Sequence, residues 1–129
     1  MDDDELRERV ERVLDAWNAQ DVDRVVGCYT EDLVYRDPNT RGEITGADDF
    51  RRYLKKLFFA WKMKWSLREA HLFRDVGGGA FLWRAVIGKE EGDRRVEIEG
   101  MDLIVFEGDR IRRNEVYFDR AALAVFMSG

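Results

Sequence analysis

Leu6, Val10, Val13, Leu14 and Trp17 recur at helical spacing behind an acidic start, Asp2 to Glu5, which complements the positive end of a helix dipole. The pattern predicts an amphipathic helix with one buried face. After NAQD a shorter helix is expected from about Asp21 to Cys28, with Asp21 as its N-cap. LVYRD then reads as a short strand running into the Asp-Pro corner of YRDPNTRG. TGADD opens a third helix in which Thr45 is the expected cap and Asp48 follows three residues on. Its apolar stripe, Phe50, Tyr53, Leu54, Leu57, Phe58 and Trp61, keeps the i, i+3, i+4, i+7 spacing and requires one face to be buried.

From Met63 the period changes. Long strands are separated by Gly-containing turns, VGGG and two copies of EGDR, and predict a four-stranded antiparallel meander over about 63–74, 80–90, 94–106 and 110–118. A short helix, DRAALAVFM, closes the chain. Helices followed by a long meander predict an α+β domain: helices on one face of a curved sheet, forming a cone with an apolar pocket in its mouth.

A length of 129 residues allows a single domain, 1–129, and 45% hydrophobic with 38% charged residues suits a globular chain. No apolar run approaches a membrane span and the start is acidic, so a cytoplasmic protein that does not engage a membrane is expected. One cysteine, Cys28, and one histidine, His71, leave no zinc cluster, and no metal or cofactor is expected. A net charge of −5 and the absence of a Gly-rich phosphate loop argue against nucleic acid and nucleotides. The basic group Arg51, Arg52, Lys55 and Lys56 reads as a solvated helix face.

Two aspartates are candidates for chemistry. Asp37, before the only proline, either opens a turn or places a carboxylate at a strand end. Alternation along the third long strand puts Asp102 on the side of Val96, Ile98, Gly100, Ile104 and Phe106, with Glu97, Glu99, Met101, Leu103 and Val105 opposite. An aspartate on a dry face is paired, for instance with Arg84, or its pKa rises and the neutral acid becomes a hydrogen-bond donor. Asn114 shares a strand face with Val116 and Phe118 and is read either as an orienting group in the pocket or as a partner of backbone. His71 is read either as an acid or base near neutral pH or as a packed or exposed residue.

The runs LDAWNAQDVDRVVGCYTEDLVYRDP, GEITGADDFRRYLKKLF and GMDLIVFEGDRIRRNEVYFD resemble the nuclear transport factor 2-like superfamily, in the style of its SnoaL-like branch, from about Val10 to Ala122. The resemblance implies the cone-shaped fold, a dimer, and a range of activities from isomerases and cyclases to non-catalytic binders. VYRDP places Asp37 on the general-base position of the ketosteroid isomerases, and GMDLIVF places Asp102 on their protonated oxyanion-hole aspartate, the worked example of a carboxylic acid kept neutral at pH 7. The oxyanion-hole tyrosine of that group falls on Val13, which has no donor; Trp17, Tyr29, Tyr35 and Tyr53 are the substitutes on offer. The epoxide hydrolase set is broken, because Gly100 stands at its arginine and Val116 at its second acid.

Trp17, Phe50, Leu54, Trp61, Trp65, Trp83 and Phe118 are the expected apolar walls. The expected function is cofactor-independent proton transfer on a small hydrophobic carbonyl compound, as in an isomerase or a related lyase or cyclase. Its rival is a non-catalytic binding or dimerisation module. A homodimer through the mixed outer face of the sheet is expected with either.

Overall fold

In the computed structural model, which describes residues 1–89 and 91–128 but not the side chains of 125–128, four helices accompany a sheet of six strands. The order is α1 (Asp3–Asn18), α2 (Val22–Gly27), β1 (Tyr29–Arg36), β2 (Ile44–Thr45), α3 (Ala47–Ala60), β3 (Lys62–Leu72), β4 (Gly78–Gly88), β5 (Arg95–Glu107), β6 (Arg110–Phe118) and α4 (Arg120–Ser128). Residue 90, at the end of the strand expected over 80–90, lies outside the described residues, as do the side chains of the last part of DRAALAVFM. No described helix is long and apolar enough to cross a membrane.

The strands lie in the order β2-β1-β6-β5-β4-β3. The expected meander is therefore two-thirds of the sheet. β1 adds to it by pairing parallel with β6, Tyr35 opposite Asn114, and β2 pairs antiparallel with β1. Bulges in β1, β3 and β6 interrupt the register, a device that bends strands.

The helical stripes bury as their spacing requires. Leu6, Val10, Val13, Leu14 and Trp17 of α1 join Phe50, Leu54 and Phe58 of α3 and the inward residues Phe81, Trp83, Ala85, Ile98 and Ile104 in one hydrophobic core. Asp2 caps α1 and Asp21 caps α2, each accepting from a backbone N–H three residues on. At α3 the expected cap is corrected: Thr45 is in β2, and Gly46 stands at the N-cap with no side-chain bond. Gly46 has φ +88° and gives its N–H to the Leu33 carbonyl at 2.8 Å, so the tight exit from β2 requires the left-handed backbone that glycine tolerates.

Between α1 and α2 the polar run NAQD ties the helices to a sheet edge. Asn18 bridges both backbone groups of Trp65, donating to its carbonyl at 2.9 Å and accepting from its N–H at 2.7 Å. Gln20 accepts from the Met63 N–H at 2.7 Å and donates to the Trp61 carbonyl at 3.0 Å. Because β3 is an edge strand, these amides satisfy backbone groups that no strand pairs with and hold its first residues against α1.

Candidate functional site

Where the helices meet the inner face of the sheet, a cavity of about 340 Å³ opens, at the lower end of the range for small-molecule sites. Trp17, Tyr35, Tyr53, Trp61, Trp65 and Trp83 line it, together with Val116 and Phe118. Val13, Tyr29, Phe50 and Leu54 do not reach its wall and belong to the buried core. Asn39, Lys56, Ala60, Met63, Ile87, Ile98 and Leu123 line it without having been singled out from the sequence. Ile98 was legible as inward-facing, but the cavity position of Lys56, read as part of a solvated face, needs the packing angle of α3. Trp17 meets Trp65 edge-on, ring centres 5.5 Å apart, and stacks on Tyr35 at 6.1 Å, so α1 and the Asn18-anchored edge of β3 define one wall together.

Among the described residues, Asp37 is the one carboxylate on that wall. Its Oδ1 accepts from the backbone N–H groups of Asn39, at 2.7 Å, and Thr40, at 3.1 Å, closing the turn that Pro38 begins. Its Oδ2 accepts from the Tyr35 hydroxyl at 2.7 Å and from the Tyr53 hydroxyl. The turn and the site are thus the same structure: one oxygen holds the corner and the other faces two phenols. Burial first, then the neighbouring Asp37 charge, raises the pKa of Tyr35 and Tyr53 above the ordinary phenol value. Both hydroxyls are neutral donors at any physiological pH.

Asp102 is built differently. Its Oδ1 accepts from the Trp83 indole N–H at 2.7 Å and its Oδ2 from the Asn114 amide at 3.0 Å. Arg84, the expected partner in the paired reading, bonds Glu97 and Glu99 on the outer face instead. Asp102 is not on the cavity wall; Trp83, which holds it, and Val116, its cross-strand neighbour, are. Burial pushes its pKa up to about 7, against the Asn114 and Trp83 bonds that favour the charged form. Gly100 makes the Trp83 contact possible: a Cβ there would stand 2.5 Å from the indole Cζ2 and 2.7 Å from Cη2. The residue that breaks the epoxide hydrolase pattern is the seat of the tryptophan.

The bonds around Asp102 have a fixed direction. The Tyr29 hydroxyl donates to Asn114 Oδ1 at 2.7 Å, so the Asn114 amide nitrogen faces Asp102 and the Leu103 carbonyl. An indole can only donate. The two partners of Asp102, the Trp83 indole N–H and the Asn114 amide nitrogen, are both obligate donors. Asn114 therefore orients the acid and does not line the cavity, and when Asp102 takes up a proton no described partner can accept its O–H. His71 is exposed beside Glu69 on β3, away from the cavity wall. Among the described residues no group of three or more His, Cys, Asp and Glu is placed to hold a metal ion.

The SnoaL-like domain family matches residues 10–114. No curated protein sequence matches the chain. Among solved structures, an NTF2-like protein of unknown function from Burkholderia pseudomallei superposes with a TM-score of 0.82 at 16% identity, covering 97% of this chain and 98% of that one. The epoxide hydrolase/cyclase-like enzyme SalBIII, described in pyran ring formation in the polyether salinomycin, gives 0.81 at 21% identity over 94% and 95% of the two chains. A protein with a ketosteroid isomerase-like fold from Catenulispora acidiphila, in complex with trimethylamine, gives 0.80 at 13% identity over 92% and 90%. Identities this low establish the shared fold and carry no activity across. The helices, the six-stranded sheet and the family match agree: the fold is shared with NTF2-like proteins, and the chain belongs to the SnoaL-like domain family.

Proposed function

We propose that this protein is a cofactor-independent acid/base enzyme that moves a proton on a small hydrophobic carbonyl compound bound in the cavity. The observation that carries the proposal is the Asp37 cluster: a carboxylate and two neutral phenols converge on the wall of a largely apolar cavity. Tyr53, less buried than Tyr35, swings its hydroxyl from Asp37 to the carbonyl oxygen of the ligand. That exchange frees a lone pair on Asp37 Oδ2 within reach of the adjacent C–H. Asp37 takes the proton, the C–H electron pair becomes the enolate, and the Tyr53 hydroxyl stabilises its oxygen. Return of the proton to a conjugated carbon completes an isomerisation; loss of a leaving group would make the same start a lyase reaction. Tyr53 thereby takes the role for which Val13 has no donor, and Asp102 with Trp83 supplies a polar backing to the opposite wall.

A second reading, a non-catalytic binding or dimerisation module, is favoured by one observation: all four acceptor positions of Asp37 are occupied in the resting structure. A panel of β,γ-unsaturated ketones, assayed with wild type, Asp37→Asn and Asp102→Asn, separates the two. Turnover that collapses in Asp37→Asn supports the enzyme, and equal rates in all three leave the binding module. In either case we propose a homodimer through the outer sheet face, where Val86, Met101 and Tyr117 are exposed among the Arg84, Glu97 and Glu99 ion pairs. Sedimentation at high protein concentration is expected to give a dimer; a monomer there contradicts it.

A further inference from the structure

The cavity wall is apolar except along one line, from Asn39 and Asp37 at the turn to Tyr53 and Lys56 on α3. The two charges on that line are in opposite conditions. Asp37 accepts four hydrogen bonds from its own neighbours. Lys56, in contrast, lines the cavity with no ion pair or hydrogen bond to any described residue, while the two arginines of α3 are occupied: Arg51 with Asp23 and Arg52 with Asp49. Lys56 stands three residues after Tyr53 and four before Ala60, both cavity-lining, so its stem follows the same helix face and its ammonium is carried to the rim. Lys89 adds a second positive charge nearby, its Nζ lying 5.3 Å from the ring centre of Trp61, another wall residue. A chain of net charge −5 thus presents a positive rim to an aromatic cavity.

We infer that the ligand is an amphipathic acid, with an apolar body that fills the cavity and one anionic group, a carboxylate or its equivalent, that pairs with Lys56 at the mouth. The inference rests on the cavity being the ligand site, as proposed above, and adds the class of compound. It also sets a spacing. Side chains three residues apart on a helix have Cβ atoms roughly 5–6 Å apart, so the anionic group sits about one helical turn from the carbonyl oxygen that Tyr53 would receive. A point-like ammonium on a flexible stem suits a single carboxylate and, lacking a fork, does not select a planar bidentate contact. Lys56 on this account is a specificity residue: it chooses the ligand and places it, and takes no part in the proton transfer.

A matched pair of fluorescent probes tests this: 8-anilinonaphthalene-1-sulfonate, an apolar body with one sulfonate, and N-phenyl-1-naphthylamine, the same body without it. Wild type is expected to bind the anionic probe more tightly, by roughly three- to tenfold for one partly exposed charge pair at low salt. Lys56→Gln removes that preference and leaves the neutral probe unchanged, and Lys56→Glu reverses it. Circular dichroism on each variant confirms that the fold is retained. Equal affinity of wild type for the two probes, or a loss in Lys56→Gln shared by both, overturns the inference while the cavity stands. If the neutral probe does not bind, or binds Ala60→Trp as well as wild type although that ring fills the cavity, then the ligand site itself is misplaced and the inference falls with it.

Discussion

Asp37 and Asp102 are the same side chain in two opposite settings. Asp37 stands at a chain corner, where two backbone N–H groups and two phenols supply a donor for each acceptor position, and it lies on the wall of an open cavity. Asp102 is in the middle of a strand, half-buried, with two donors for its two oxygens. The number of donors and the access of water decide what each acid can do. One is a carboxylate whose bonds a ligand can exchange; the other is an acid poised near neutrality, whose charge is set by burial. A family resemblance alone suggests base and neutral donor for them; the bond directions set Asp37 against two phenols and give Asp102 partners that only donate.

The largest effect expected from breaking this contrast is on Asp37. Asp37→Asn removes the base and is expected to cost about 10²–10⁴ in rate on any ketone that is turned over; steady-state kinetics with the panel check it. The contrast sharpens when pH is varied. The folded chain holds the Asp102 proton more tightly than the unfolded chain does, so stability is greatest below the unfolded pKa near 4 and falls as pH rises through about 7. Urea denaturation of wild type between pH 4.5 and 8.5 should show a loss of up to about 3 kcal/mol from this group. Asp102→Asn, which imitates the neutral acid, should show a much flatter curve.

Two smaller changes act on the donors. Trp83→Phe deletes a bond that favours the charged form, so the pH at which stability falls should move upward, with a cost of about 1.5–3 kcal/mol at pH 8.5 where the carboxylate is left short of a donor. Denaturation curves at two pH values read both quantities. Tyr29→Phe leaves the Asn114 carbonyl oxygen without its donor and allows the amide to turn. A loss of about 1–2 kcal/mol is expected from the buried unsatisfied group. If Tyr29→Phe leaves the pH profile and the stability of the protein unchanged, the directed chain from Tyr29 to Asp102 is wrong.

Much of the fold was legible because it is periodic. The α1 and α3 stripes and the alternation of β5 are local signals, and they placed Val10, Phe50, Leu54, Ile98 and Ile104 correctly in the interior. The parallel contact of β1 with β6 was not legible, since it joins residues about 80 positions apart. Nor was the two-residue β2, too short to show a period, which took Thr45 away from the helix it was expected to cap. At the site, Tyr35 follows from alternation, two residues before Asp37 on one strand face. Tyr53 reaches the same oxygen from another element, and nothing local in either segment says so. Asn18 and Gln20 read as a loop because their partners are backbone groups of a distant edge strand. Gly100 was legible only as a missing arginine; that its bare Cα seats Trp83 is a matter of packing.

The most direct test of the account is proton removal itself, whatever the overall reaction turns out to be. Incubation of the ketone panel with protein in D₂O, followed by NMR of the position next to the carbonyl, should show deuterium entering at least one compound with wild type. The rate should fall by about 10²–10³ in Tyr53→Phe and further in Asp37→Asn. Exchange at the same rate in all three proteins, or none above the buffer rate for any compound with wild type, would contradict the assignment of Asp37 and Tyr53 as the proton-transfer pair.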